Sequence, residues 1–227
     1  MKEEVNIYDG RGVIHLKGST SETFLYVKNK PRIASFHAEI GTIWRYQIGR
    51  EISDNLIGEN HKYEELVSSG EIIEEEKLSR QFNHITQLLT NGNYELHYCE
   101  FSWELNILPA IEKCNNKTFY DVYGGMNEIT ATQTYSNKDT IDKYKGKIKS
   151  GLRPVPVLIK IKDSCATYII DGHHKLAAYK ETKVNPKALI ISKLEYKNNT
   201  LPEAIKEMKS LGMTDEKWIE IYKSKRV

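Results

Sequence analysis

The chain has 227 residues, 39% hydrophobic and 28% charged, with a formal net charge of +2. That is ordinary composition for a globular protein able to bury a core. No apolar run approaches the roughly 20 residues of a membrane helix, and the opening Met1-Lys2-Glu3-Glu4-Val5-Asn6 carries acidic residues with no apolar stretch behind them. A membrane span and a secretory signal are therefore not expected.

The charge is unevenly spread. Residues 1–118 hold 13 Lys and Arg against 18 Asp and Glu, and residues 119–227 hold 20 against 13. The balances of −5 and +7 sum to the +2 of the whole chain. A basic second half suits an anionic ligand, although a solvated lysine-rich surface has the same composition. Cys99, Cys114 and Cys165 are odd in number and widely spaced, which fits neither a disulfide framework nor a C-x-x-C metal site. Reduced thiols and a cytoplasmic protein are the expectation.

In chain order, Val13-Ile14-His15-Leu16 and Thr23-Phe24-Leu25-Tyr26-Val27 read as strands, and residues 33–48 as further strand with Gly41 at a turn or bulge. Residues 60–89 change character: Leu66, Ile73 and Leu78 stand among glutamates. Phe82, Ile85, Leu88 and Leu89 then follow a helical face that ends before Asn91-Gly92. Residues 94–105 alternate as one more strand. Glu74-Glu75-Glu76 reads as a solvated face, since consecutive carboxylates on a helix cannot converge on one ion. His15, His37, His61, His84 and His97 lack ligand spacing and read as structural or surface residues.

From Tyr120 onward the pattern sharpens. Ile129-Thr130-Ala131-Thr132-Gln133 is a short polar segment, and residues 140–150 form a helix capped by Gly151. Arg153-Pro154-Val155-Pro156 leads into the strand Val157-Leu158-Ile159-Lys160-Ile161. Thr167-Tyr168-Ile169-Ile170 is a second strand, Asp171-Gly172 a turn, residues 173–181 a helix, and Lys187-Ala188-Leu189-Ile190-Ile191 a third strand. Residues 202–211 and 215–222 read as closing helices, with Pro202 in the first turn of one of them. The whole reads as an α+β protein with a β-rich region over 1–118, containing one or two helices, and a second unit over 119–227.

The chemistry concentrates at Asp171-Gly172-His173-His174-Lys175. A strand that stops at glycine and enters a helix presents backbone N–H groups whose partial positive charge attracts phosphate. Gly172 lets backbone approach a ligand, Lys175 offers a point charge, and an imidazole can donate a hydrogen bond or relay a proton. Cations at a helix N-terminus oppose the dipole unless an anion joins them. The plain alternative is a common strand-Gly-helix junction with Asp171 as N-cap. Ala177 and Ala178 are expected to hold the helix close to the sheet.

The stretch Tyr168-Ile-Ile-Asp-Gly-His-His-Lys-Leu-Ala-Ala-Tyr resembles the nucleotide-binding signature of the ParB/sulfiredoxin superfamily. The preceding segment ending at Gln133, the helix closing on Lys149-Ser150-Gly151 and the strand Pro154-Val155-Pro156-Val157 follow the superfamily's order, so the resemblance covers residues 120–193. It implies a mixed sheet with helices in the second half. His173 stands where sulfiredoxins carry their catalytic cysteine, and His-His-Lys replaces the arginine-rich block of partition proteins. The free serine kinases, with Asp-Gly-His-His-Arg, are the nearest branch. Gln133 stands where they place a glutamate base.

The resemblance implies ATP or another nucleoside triphosphate with Mg²⁺, and phosphotransfer or nucleotide hydrolysis on a small-molecule acceptor. Gly172, His173, His174, Lys175, Gln133 and Arg153 are the implied nucleotide-binding residues. Glu128 is the candidate base, with His174 and Asp171 beside it as catalytic groups. The alternatives are a non-catalytic nucleotide-sensing module that binds protein or DNA, and a nuclease. The acidic first half and the lack of paired metal-binding carboxylates disfavour nuclease chemistry and a nucleic-acid partner.

Overall fold

Alternating apolar residues decide the architecture, because successive strand side chains point to opposite faces. The computed structural model describes residues 1–40, 43–50, 72–104, 107–108, 117–122, 128–132 and 137–226. In chain order the elements are β1 (Lys2–Ile7), β2 (Ile14–Gly18), β3 (Glu22–Val27), β4 (Lys30–Ile40), β5 (Ile43–Arg50), α1 (Leu78–Gln81), α2 (Asn83–Thr86), β6 (Gly92–Glu100), β7 (Ile107–Leu108), β8 (Lys117–Val122) and β9 (Glu128–Thr130). They continue with α3 (Lys138–Lys149), β10 (Val157–Ile161), β11 (Ala166–Asp171), α4 (His173–Thr182), β12 (Lys187–Lys193), α5 (Leu201–Ser210) and α6 (Glu216–Lys225). Among the described residues no helix is long and apolar enough to cross a membrane.

The fold is α+β. One sheet is mixed, in the order β1-β6-β12-β10-β11-β9-β7, with β10 parallel to β12 and antiparallel to β11. The other runs β2-β3-β4-β5-β8 with every neighbour antiparallel. The two sheets pack face to face. Val157, Ile159 and Ile161 of β10 share a buried cluster with Leu16, Leu25 and Ile33 of the second sheet. The intervening Leu158 faces the other way, with Ile169 and Ala188, onto Leu176 of α4. On the far side of the second sheet, Phe24, Tyr26 and Phe36 pack with Met208, Trp218 and Tyr222 of α5 and α6. The molecule is thus layered as helices, sheet, sheet, helices.

Polar groups tie these layers together. Between the sheets, the Tyr168 hydroxyl lies 2.6 Å from Ser35 Oγ and donates to the Thr23 carbonyl at 3.1 Å. At the second sheet's helical face, Arg226 Nη2 donates to the buried Glu22 carboxylate at 2.5 Å and to the Asn199 carbonyl at 2.6 Å. Burial pushes the Glu22 carboxyl above its usual range, with Arg226 pulling it back. The helices carry the end signals expected of them. Asn137 caps α3 through Thr140 N–H at 2.9 Å, and Thr200 with Glu203 forms a capping box at α5.

The structure departs from the sequence expectations at three points. The division at 118/119 does not separate the layers: β1 and β6 complete the sheet of β10 to β12, while α5 and α6 cover β3 and β4. The helical face at Phe82, Ile85, Leu88 and Leu89 is buried, but it is built from two one-turn helices and a tight turn. There Leu88 N–H and Leu89 N–H bond three residues back, to Ile85 and Thr86, which tightens the chain away from a regular α-helix. Ala177 and Ala178 pack with Ile141 and Ile148 of α3, not on the sheet, which Leu176 contacts instead. Gly41, Cys114, residues 60–71 and Gln133 lie outside the described residues.

Replacing Tyr168 by Phe removes the hydroxyl that joins the two sheets and leaves buried polar partners at Thr23 and Ser35. The expected loss is about 1–3 kcal/mol, seen in urea unfolding as a lower midpoint with an unchanged slope.

Candidate functional site

The chain enters α4 through Gly172, which adopts φ +100. A Cβ there would stand 2.8 Å from Pro156 Cβ and 2.9 Å from Pro156 Cα. The position needs glycine twice over, for the left-handed backbone and for the contact with Pro156. Leu176 N–H then closes the first helical bond to the Gly172 carbonyl at 2.8 Å. No acidic residue lies in the first turn of α4 and no side chain caps it.

His173 and His174 hold the two ends of the connection between β9 and α3. His173 Nε2 accepts Thr132 N–H at 2.9 Å, and the Thr132 hydroxyl donates to the Ile169 carbonyl at 2.5 Å. His174 Nε2 accepts Asn137 N–H at 3.0 Å. A ring nitrogen that accepts cannot carry a proton, so both imidazoles are neutral with the proton on Nδ1. Burial lowers the His174 pKa, opposed by the Asp171 carboxylate. The same carboxylate acts on His84 of α2, which burial holds down at about 4.

Lys175 does not play the part its sequence position suggested. Its side chain is buried, and Nζ donates to Asp171 Oδ2 at 2.5 Å and to the Val155 carbonyl at 3.2 Å. The Tyr144 ring centroid lies 5.8 Å from the same nitrogen. Asp171 therefore neutralises the cation inside the protein, and Lys175 does not await an external anion. Asp171 is not the N-cap, a position taken by Gly172.

The remaining site residues separate. Arg153 Nη1 donates to the carbonyls of Ile148 at 3.2 Å and Leu152 at 2.9 Å, which places the guanidinium at the C-terminal end of α3. Glu128 begins β9, its backbone opposite Ala166 in parallel register. Asp171 lies five residues further along β11, roughly 16 Å at strand rise. The backbone of the candidate base is thus at the wrong end of the strand to serve the start of α4. Gln133 follows directly on the Thr132 that His173 holds. Thr132, Asn137, Tyr144 and His84 are the groups the sequence reading missed; only Asn137 had a signal, as a cap three residues before Thr140.

Among the described residues no group of three or more His, Cys, Asp or Glu side chains is placed to hold a metal ion. No family model, no curated protein and no solved structure matches the chain.

The pairing of Lys175 with Asp171 is asymmetric, since the ammonium is buried and the carboxylate is 32% exposed. Asp171→Asn strands a buried charge and is expected to cost about 3–5 kcal/mol. Lys175→Met leaves a carboxylate that reaches water and costs less. The double variant recovers part of the Asp171→Asn loss, which denaturant unfolding of the three proteins measures.

Proposed function

We propose that this protein binds a nucleoside triphosphate with its phosphates at the start of α4, and uses it for phosphoryl transfer to a small molecule or for hydrolysis. In this reading it is a member of the ParB/sulfiredoxin superfamily, on the strength of the signature at 168–179. The observation that carries it is a ten-residue helix that opens from a left-handed glycine, has no acidic residue in its first turn, and begins with two neutral imidazoles. Backbone N–H groups at such an end attract oxyanions. With both imidazoles neutral, the site can accept phosphate at the backbone N–H groups without a prior proton.

Charge compensation would come chiefly with the ligand. Lys175 and Asp171 are committed to one another, so they contribute a rigid neutral pair beneath the turn. Magnesium binds mainly through phosphate oxygens and water, with one or two carboxylates. Asp171 is the carboxylate nearest in sequence to this helix start, and with Oδ2 held by Lys175 it would have only Oδ1 to offer magnesium. The ion therefore belongs to the nucleotide more than to the protein. Gln133 remains a proposed contact to the base or the substrate.

A second reading, a sensor that binds nucleotide without turnover, is favoured by the position of Glu128. A general base must lie within hydrogen-bond reach of the proton it removes, and the backbone of Glu128 starts β9 at the far end.

Calorimetry with ATP and CTP in the presence of Mg²⁺, followed by chromatography of the products, tests both readings. Heat with at least one triphosphate is expected, weakened about tenfold or more in His173→Ala/His174→Ala, which releases Thr132 and Asn137 beside the helix start. Product formation assigns the enzyme, and binding without products assigns the sensor. Absence of heat with every triphosphate contradicts both.

A further inference from the structure

A second group of basic side chains gathers where the edge of the five-stranded sheet meets the end of β12. Lys193 Nζ reaches across from β12 and donates to the Leu16 carbonyl at 3.0 Å. Lys17 Nζ lies 5.0 Å from the centroid of the Tyr26 ring, and the His15 ring lies 5.5 Å from that same centroid. All three residues are partly buried. The acids around them accept hydrogen bonds from neutral groups, Glu195 from Asn93 Nδ2 at 2.5 Å and Glu203 from Thr200 N–H at 2.9 Å and its hydroxyl at 2.8 Å, while Glu195 acts on Lys193 and Lys17 on Glu203 through space. Glu207 accepts from the Tyr26 hydroxyl and from Asn199. Among the described residues neither Lys17 nor Lys193 forms an ion pair with a carboxylate.

Two lysines and an imidazole meet in a half-desolvated corner with no carboxylate hydrogen-bonded to any of them among the described residues, an arrangement that a small anion in direct contact would stabilise. We propose that His15, Lys17 and Lys193 form a binding site for a small oxyanion of the phosphate class, separate from the start of α4. Register keeps the two sites apart. Along β10, Asp171 stands opposite Val157 and Lys193 opposite Ile161, ends that lie roughly 13 Å apart at strand rise. The two lysines supply charge, and the imidazole supplies a donor that gains a proton as the anion arrives.

The electrostatics of His15 agree with this geometry. Its pKa is depressed to about 4, by burial first and then by Lys193 and Lys17. Burial likewise lowers Lys193, with Lys17 adding to the effect and Glu195 opposing it. A bound oxyanion reverses the electrostatic part of this depression, so the His15 midpoint must rise on binding. Lys197 adds to the positive field felt by Glu203 but meets no member of the trio by hydrogen bond.

The test is NMR titration of the histidine rings in inorganic phosphate against chloride at equal ionic strength. The His15 midpoint is expected to rise by about one pH unit or more in phosphate. The midpoint of His37, which burial alone holds down, is expected to stay put and serves as the internal control. In Lys17→Gln the phosphate effect shrinks while the chloride midpoint itself rises, because a like charge has gone. Lys193→Met gives the same pattern. An unchanged His15 midpoint in phosphate overturns the proposal. So does an equal movement of His37, or a full phosphate effect that survives in Lys17→Gln, a side chain exposed enough for its loss to spare the fold.

Discussion

The passage from β11 into α4 runs over Pro156, and only a residue without Cβ can make it. Gly172 takes a left-handed backbone there, so the chain reverses within one residue instead of spreading the turn over a loop. Everything at the start of α4 follows from that tight turn. Asp171 ends on the strand and Lys175 one helical turn later, close enough to meet across the turn at 2.5 Å. His173 and His174 emerge side by side, each reaching an opposite end of the same connection. A longer side chain at 172 would displace Pro156 and, with it, the Val155 carbonyl that also holds Lys175.

The layers around this turn explain why it is rigid. Leu176 packs on the mixed sheet while Ala178 and Tyr179 pack on α3, so α4 is gripped on two sides. The Tyr179 hydroxyl adds a bond to the Pro154 carbonyl at 3.1 Å, fixing the strand entrance along the helix. Behind the mixed sheet lies the second sheet, whose Leu25 and Ile33 fill the same core as Tyr168 and Ile170. The start of α4 is therefore mounted on well-packed elements rather than on a loop, which would suit the proposed site, whose donors must be held in place.

Much of this was legible in the sequence where a local rule dominates. The strands β10 to β12 and the helices α3 to α6 follow from apolar alternation, caps and glycine stops, and their observed limits lie close to the expected ones. β1 escaped because Lys2, Glu3 and Glu4 leave little but Val5 and Ile7 as apolar residues in it; an edge strand needs few. The joining of the two halves into shared layers is a matter of long-range pairing, such as Val5 with Tyr94 and Leu96 with Ile191, to which composition and charge balance are blind. At the start of α4, the turn and the helix were legible. The fate of Lys175 was not, because sequence shows a cation at a helix start without showing whether Asp171 bends back to it. Glu128 was misplaced for a related reason: nearness in sequence to Gln133 says nothing about the end of the strand at which its backbone lies.

The most direct test of the α4 site is the amide spectrum of the protein during addition of a non-hydrolysable nucleoside triphosphate with Mg²⁺. The account predicts that the largest shifts fall on the backbone N–H groups of Gly172, His173, His174 and Lys175, with smaller ones at Thr132 and Asn137. Saturable shifts confined to other parts of the chain, or none at millimolar ligand, would contradict it.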